Sequence, residues 1–361
     1  MKQWIFAILL SCWIGVFGNS TLLNGSEPNN GPDFLEAKKA WVNQTFDGMS
    51  LEERIGQLFM VAAYSNRGPA HFSKLKNLIE EHHIGGLIFF QGGPMRQALM
   101  CNELQEASKI PMMIGMDAEW GIEMRLDSTI GFPRQMTLGA IRDDRLIYEM
   151  GREIGRQFNR MGMHINFAPV ADVNNNPDNP VINSRSFGEL RENVAQKSAA
   201  YMQGLQDENV LANAKHFPGH GDTDTDSHKA LPSILHDRQR LDSVELYPFR
   251  QLIARGLSSA MVAHMYIPAL DSSAEQASTL SRPIVHDLLR KEMGFEGLIV
   301  TDALNMKGVS AQFEPGDVEL QALLAGNDIL LFAEDVPKAV RLIKEAIEDG
   351  TIDEKEINRH C

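Results

Sequence analysis

Three features of the sequence predict an α/β fold of (β/α)8 barrel type. Strand-length apolar runs recur along the chain, amphipathic stretches of helical period separate most of them, and polar residues gather at one end of each run. The runs are "IGQLFMVAAY", "IGGLIFFQ", "IPMMIGMDAE", "MHINFAPVAD", "VLANAKHF", "SAMVAHMY", "GLIVTDAL" and "NDILLFAE". Each is nearly continuous in apolar character, as parallel strands buried on both faces should be. The length of 361 residues suits one large barrel. An open doubly wound sheet is the competing architecture. It is disfavoured because no Gly-rich phosphate loop follows the first run. No repeat of solenoid period is evident.

Between the runs, "DRLIYEMGREIGRQFNRMG", "DSVELYPFRQLIARG" and "VPKAVRLIKEAIEDG" carry apolar residues at helical spacing, and each ends on Gly, as a C-terminal cap would. The N-terminus is a different object. "MKQWIFAILLSCWIGVFGNS" has a basic start, an apolar middle and small residues at its exit, the pattern of a signal peptide over 1–20. The run is short for a membrane span. Residues 21–33, rich in Asn, Gly, Ser and Pro, read as a polar linker, and the folded domain is expected over 34–361. The mature protein is therefore expected to be periplasmic or secreted, with no stable membrane insertion. An uncleaved N-terminal anchor is one weaker alternative. A lipid anchor at Cys12 is another, weakened by the short apolar stretch before it.

A formal net charge of −14 without a basic stripe argues against nucleic-acid binding. Beyond Cys12, only Cys101 and Cys361 remain, so neither a disulfide framework nor a Cys-based metal site is expected. Stability must then rest on the core.

The polar strand ends carry the chemistry. Asp117 and Glu119 end the third run, Asp172 the fourth, Lys215 and His216 the fifth, His264 the sixth and Asp302 the seventh. In a barrel these ends share the catalytic face. The stretch "KHFPGHGDTDTDSH" leaves the fifth strand at that face. The segment from about His220 to Lys229 has few apolar anchors and is expected to be a mobile lid. Asp226 and His228 are two residues apart, close enough for a carboxylate to orient an imidazole as a general acid/base pair. Asp302 directly ends a buried strand, where a carboxylate is held as a nucleophile should be. One attacking carboxylate and one proton donor are the logic of retaining glycoside hydrolysis, although that scheme normally uses two carboxylates. Metal binding by His216, His220, Asp222, Asp224 and His228 is the competing use of these residues, but no recognised spacing such as H-E-x-x-H occurs. Acyl transfer is weaker still, since no G-x-S-x-G elbow appears.

"KHFPGHGDTDTDSH", "MDAEWGIEMRL", "NSRSFGE" and "IVTDALNM" together resemble the β-N-acetylglucosaminidases of glycoside hydrolase family 3, over about residues 45–350. The resemblance implies a TIM barrel that removes terminal β-linked N-acetylglucosamine with retention, usually from peptidoglycan fragments. Carried over by position, Asp302 matches the nucleophile, His228 the acid/base and Asp226 its partner. Asp117 matches a carboxylate that binds sugar hydroxyls, and Arg125, Arg185, Lys215 and His216 match further sugar-binding positions. No metal or organic cofactor is implied. Trp120 departs from the pattern, standing where many relatives have Gly. Many relatives also continue past the barrel into a further domain, whereas this sequence stops at "INRHC", which raises the expectation of a truncated C-terminus.

Two alternatives stay open at this point. One is a phosphorylase that passes the sugar to phosphate. The other is a barrel that only binds cell-wall sugars. The N-terminal reading has its own test: the protein isolated from its native host should begin near Ser20 in an exported fraction. An intact Met1 in the cytoplasm would overturn it.

Overall fold

The computed structural model describes residues 32–227, 230–272, 276–311 and 313–361. The expected signal peptide and most of the linker lie outside the described residues. The chain divides after Gly48 into two units. The described part of the first is the helix Pro32–Asp47. The second, from Met49 to Cys361, is the barrel.

Eight parallel strands form it: β1 (Phe59–Ala63), β2 (Gly86–Phe89), β3 (Met113–Met116), β4 (Ile165–Asn166), β5 (Leu211–Phe217), β6 (Ser259–Val262), β7 (Leu298–Thr301) and β8 (Leu330–Leu331). They pair in chain order, and β8 returns to β1 through Phe59↔Leu330 and Met60↔Leu331. A bridge between Val300 and Ile329 completes the ring. The fold is the predicted (β/α)8 barrel.

The apolar runs are continuous because each strand has apolar matter on both sides. Met60, Ala62, Ile88, Ile165, Phe167, Met261, Val300 and Leu331 pack together inside the barrel. Their neighbours Phe59, Val61, Leu87, Phe89, Ala260, Val262 and Ile299 face the surrounding helices in the larger core. The three expected helices form over Arg145–Arg160, Leu246–Ile253 and Val336–Glu348. Gly350, after the last of them, takes a left-handed φ of 82°, which fits the expected cap.

Two runs are shorter as strands than as sequence. In the first, Ile55 and Gly56 finish the helix Leu51–Gly56, because Ser50 and Glu53 close a reciprocal capping box at its start. In the fourth, regular pairing stops at Asn166, just before Pro169, which has no N–H to donate. The chain then rejoins β5 when Ala171 N donates to Lys215 O at 2.7 Å, so Asp172 still reaches the mouth.

Inside the barrel, Gly115 makes room for its neighbours. A Cβ there would lie 2.8 Å from Phe167 Cε2 and 2.9 Å from Ile165 Cγ2. Gly115→Ala should therefore destabilise the protein by about 1–3 kcal/mol through overpacking. Combining it with Phe167→Leu should recover part of that loss. Denaturant midpoints of the two single variants and the double would show the coupling, and strict additivity would refute the contact.

Candidate functional site

A cavity of about 610 Å³ opens at the C-terminal ends of the strands. Its lining includes Asp117, Arg125, Arg185, Lys215, His216 and Asp302, so six of the eight expected site residues come together. Ser227 also lines it. Asp226 is not among the described lining, and its backbone carbonyl accepts from Ala230 N at 3.1 Å. His228 lies outside the described residues.

The cluster is built around Lys215. Its Nζ donates to Asp117 Oδ1 at 2.7 Å and sits 3.0 Å from Glu119 Oε1. Arg125 donates to the other oxygen of Asp117 at 2.7 Å. Arg185 grips Glu119 with two nitrogens, Nε at 3.0 Å and Nη2 at 2.7 Å. Such charge-assisted, forked contacts are the strong kind. Burial would push both carboxyls up, but the cations beside them outweigh it. Lys215 and Arg125 hold Asp117 below the usual carboxylate range, and Arg185 and Lys215 hold Glu119 far below it.

Residues distant in sequence fix this geometry. Ala118, between the two carboxylates, donates its N–H to Asn166 Oδ1 at 3.0 Å, and its carbonyl accepts from Tyr201 OH at 3.0 Å. Asp172 is fully buried and holds both histidines of the fifth loop. Its carboxylate contacts His216 Nδ1 at 2.7 Å and accepts the His220 backbone N–H at 2.7 Å. His216 Nε2 then faces Arg185 Nη2 at 3.3 Å. Asp172 was legible as a strand-end carboxylate, but its part in aiming His216 was not. Asn166 and Tyr201 gave no signal, because nothing in the local pattern marks a residue whose partner lies on another element.

The described part of the Lys-His loop is anchored by polar contacts. His220 is buried and its pKa is pushed down to about 4, chiefly by burial and then by the neighbouring His216. Its ring meets Thr223 Oγ1 at 2.8 Å and Ser227 Oγ at 3.2 Å. Gly308 N donates to Ser227 O at 3.1 Å, tying the loop to the segment after β7. At Gly221 a Cβ would collide with Val173 O, so the loop can leave the barrel by this route only with glycine there.

Asp302 follows β7 directly. Its backbone N–H donates to Val262 O at 2.9 Å and its carboxylate accepts from Ala303 N at 2.8 Å. Burial opposes its ionisation. The charges of His264 and His216, the Ala303 N–H and Lys215 together hold its pKa below the ordinary value nonetheless. A half-buried carboxylate kept ionised beside open space can attack an electrophile.

Of the metal grouping weighed from the sequence, His228 lies outside the described residues, and three of the described members turn to other partners. His216 is committed to Asp172 and Arg185, and His220 to Thr223 and Ser227. Among the described residues, Asp222 instead gathers with His236 and Glu245. There it bonds His236, and Arg240 stands 3.7 Å from Asp222 and 3.0 Å from Glu245 Oε1, supplying the positive charge.

Fold and site together define a class: a (β/α)8 barrel whose polar cavity, lined by paired carboxylates and cations, lies at the C-terminal ends of its strands. The chain belongs to glycosyl hydrolase family 3. The profile of that family's N-terminal domain matches residues 50–361. Among curated proteins it is 38% identical over 291 residues to beta-hexosaminidase A of Pseudoalteromonas piscicida, covering 74% of this chain and 48% of that one. It is 30% identical over 331 residues to beta-hexosaminidase LpqI of Mycobacterium tuberculosis, covering 86% and 81%. Among solved structures it superposes with a TM-score of 0.81 on a glycoside hydrolase family 3 beta-N-acetylglucosaminidase from Paenibacillus sp., at 38% identity, over 87% of this chain and 61% of that one. The chain thus spans about half the length of the Pseudoalteromonas relative.

Removing one member of the buried cluster has a defined consequence. Glu119→Ala leaves Arg185 and Lys215 short of a partner and should cost about 3–5 kcal/mol near neutral pH. Because the folded pKa of Glu119 is depressed, its contribution is complete above the ordinary Glu value, about 4.3, and is lost as pH falls from there toward the folded value. The gap between wild type and variant should therefore narrow in acid. Denaturant melts at neutral and acid pH would show it, and a gap independent of pH would contradict the charge argument.

Proposed function

We propose that this protein is a retaining exo-β-N-acetylglucosaminidase. The observation that carries the reading is Asp302, half-buried and held ionised, in one cavity with Asp117, Arg125, Arg185, Lys215 and His216. The names of the relatives support the same sugar and favour water over phosphate as the acceptor.

The steps follow from the residues. The cluster of Asp117, Arg125, Lys215, His216 and Arg185 holds the hydroxyls of the terminal sugar. An Asp302 carboxylate oxygen attacks the anomeric carbon as the bond to the leaving oxygen breaks, and His228 donates its proton to that oxygen. A covalent glycosyl ester of Asp302 results. His228, now neutral, takes a proton from water as the water attacks the same carbon, and Asp302 leaves as the carboxylate. Asp226 orients His228 and stabilises its charged form. Two displacements restore the original configuration.

Peptidoglycan fragments are the proposed substrates, on the strength of the motif resemblance. Export follows from the N-terminal pattern, with the catalytic domain from residue 34 onward. No helix among the described residues is long and apolar enough to cross a membrane.

Leaving-group dependence tests the assignment. Asp302→Asn should abolish turnover of every substrate with the fold intact, and a 2-fluoro or 5-fluoro sugar should label Asp302 in the wild type. His228→Ala should slow glycosylation by a natural disaccharide by roughly 10²–10⁴-fold, because an alkyl leaving group needs the proton. Glycosylation by a nitrophenyl glycoside should suffer far less. Bursts before the steady state separate this step from deglycosylation. Label on another carboxylate would refute Asp302, and equal losses on both substrates would refute His228.

A further inference from the structure

His264 follows β6 and has no part in the reaction steps proposed above, yet its surroundings fix its charge. It is fully buried, so it does not touch a substrate. Its Nε2 faces Ala303 O at 3.0 Å, and a carbonyl only accepts, so Nε2 must carry a proton. Its Nδ1 lies 2.7 Å from Thr279 Oγ1. That hydroxyl has a single proton, and its oxygen stands 2.5 Å from Ala263 O. Two oxygens approach so closely only with a proton between them, so the Thr279 hydroxyl donates to that carbonyl. Thr279 Oγ1 is then left to accept from Nδ1. Both ring nitrogens of His264 therefore donate, and a ring that donates twice is the imidazolium.

The acceptors are themselves held in place. Thr279 sits in the short helix Ser278–Leu280, where Ser278 Oγ donates to Ala263 O at 2.5 Å and accepts the Met265 N–H at 3.2 Å. Asn327 Nδ2 donates to Thr279 O at 2.9 Å. Ala303 is fixed from its other side. Its N–H donates to the Asp302 carboxylate at 2.8 Å, and its carbonyl also accepts from Met306 N at 3.0 Å. A buried cation needs an anion, and Asp302 is the carboxylate to which His264 is coupled. Burial opposes the ionisation of Asp302. His264 leads the charges that overcome it, followed by His216 and Lys215 of β5. His220, in the Lys-His loop, also feels Asp302, but its pKa is pushed down to about 4, first by burial, and it stays neutral near neutral pH.

We propose that His264 is a positioning residue for the nucleophile: a fixed imidazolium that pins Ala303, and with it the Asp302 carboxylate, and that eases the release of Asp302 from the glycosyl ester. The inference rests on the proposed role of Asp302. In the second displacement the water oxygen bonds to the anomeric carbon and its proton passes to His228. The electron pair of the breaking C–O bond returns to Asp302. Negative charge develops there beside a cation already in place. His264 neither gains nor loses a proton. The same cation makes the free carboxylate a weaker nucleophile, so its benefit falls on deglycosylation rather than on glycosylation.

Imidazole NMR of the protein with nitrogen-labelled histidine reads the charge directly. His264 should keep both ring N–H groups at about pH 8, well above the ordinary histidine value of about 6.5. Thr279→Val removes the acceptor at Nδ1 while Ser278 still satisfies Ala263 O, so the ring that loses its Nδ1 proton near neutral pH in that variant is His264. A His264 ring that is neutral near neutral pH in the wild type would overturn the proposal. Kinetics test the role. Asp302 must be ionised to attack and its pKa is depressed, so kcat/KM should fall in acid only below the ordinary Asp value of about 3.9. His264→Gln should move that acid limb up by about one pH unit or more, because the strongest charge favouring the carboxylate is gone. It should also slow deglycosylation by about tenfold or more, while glycosylation above the limb changes by less than about threefold. Bursts before the steady state separate the two steps. Thr279→Val should move both readouts the same way, more weakly. An unmoved limb, or equal losses in the two steps, would reduce His264 to a structural part and refute the proposal. Should His264→Gln fail to fold, the wild-type spectrum and Thr279→Val decide. If a fluoro sugar labels another carboxylate, the assignment of Asp302 fails instead, and the fixed charge of His264 stands or falls by NMR alone.

Discussion

The arrangement of the mouth depends on one cation, the ammonium of Lys215. It is 2% exposed and faces two carboxylates, Asp117 and Glu119, which stand two residues apart after β3. Carboxylates this close cannot both stay ionised in a buried place without countercharge. Lys215 lies between them, and Arg125 and Arg185 close the set from outside. Three cations against two carboxylates leave the group net positive. That excess reaches Asp302, since Lys215 is one of the charges that keep it ionised against burial. The surface that would hold the sugar and the group that would attack it are thus parts of one electrostatic unit. Loss of a charge at either place disturbs the other.

Such a cluster needs a rigid frame, because a buried ion pair repays its desolvation only at good geometry. The barrel provides it in layers. Pairing of β3 with β4 and of β4 with β5 fixes the relative heights of the strand ends. Asn166 and Tyr201 lock Ala118 between the carboxylates, and Asp172 locks the chain at His216 and His220. Gly219, at a φ of 133° and packed against Glu245, turns the chain out of β5 immediately after that.

These layers were not equally legible in the sequence. The barrel was, because strands buried on both faces must be apolar throughout, and that leaves a mark in every run. The charged strand ends were legible for the converse reason: Asp117, Lys215, His216 and Asp302 interrupt apolar runs at the same end, and only a shared polar site makes that affordable. The supports were not. Tyr201 sits on the helix Arg191–Asp207 and meets Ala118 across 83 residues of chain. On its own helix it looks like any buried aromatic. The choice among titratable groups in the Lys-His loop was also hidden. Sequence proximity grouped His216, His220, Asp222, Asp224 and His228, whereas the turn at Gly221 sends Asp222 to His236 and leaves His216 and His220 to Asp172 and Ser227. Which neighbours share a ligand is decided by the path of the backbone, and that path depends on close approaches such as Gly221 to Val173.

Trp120, the departure from the family pattern, has a consistent place in this arrangement. It follows Glu119 directly and lines the main cavity on the β3 side. Its ring carries the Arg134 guanidinium 4.4 Å from the centroid, and its Nε1 donates to Glu123 at 3.2 Å. A bulky, tethered indole beside Glu119 walls the mouth where the proposed sugar-holding cluster sits. Tyr64 and Phe332, just after β1 and β8, line the same cavity away from the indole. In the proposed reading, the hydroxyls of the terminal sugar are held by Asp117 and Arg185, on the side of the mouth that carries the indole. That placement is a physical reason, in the proposed reading, for cleavage one terminal sugar at a time: the tethered indole obstructs a longer chain beyond the terminal hydroxyls.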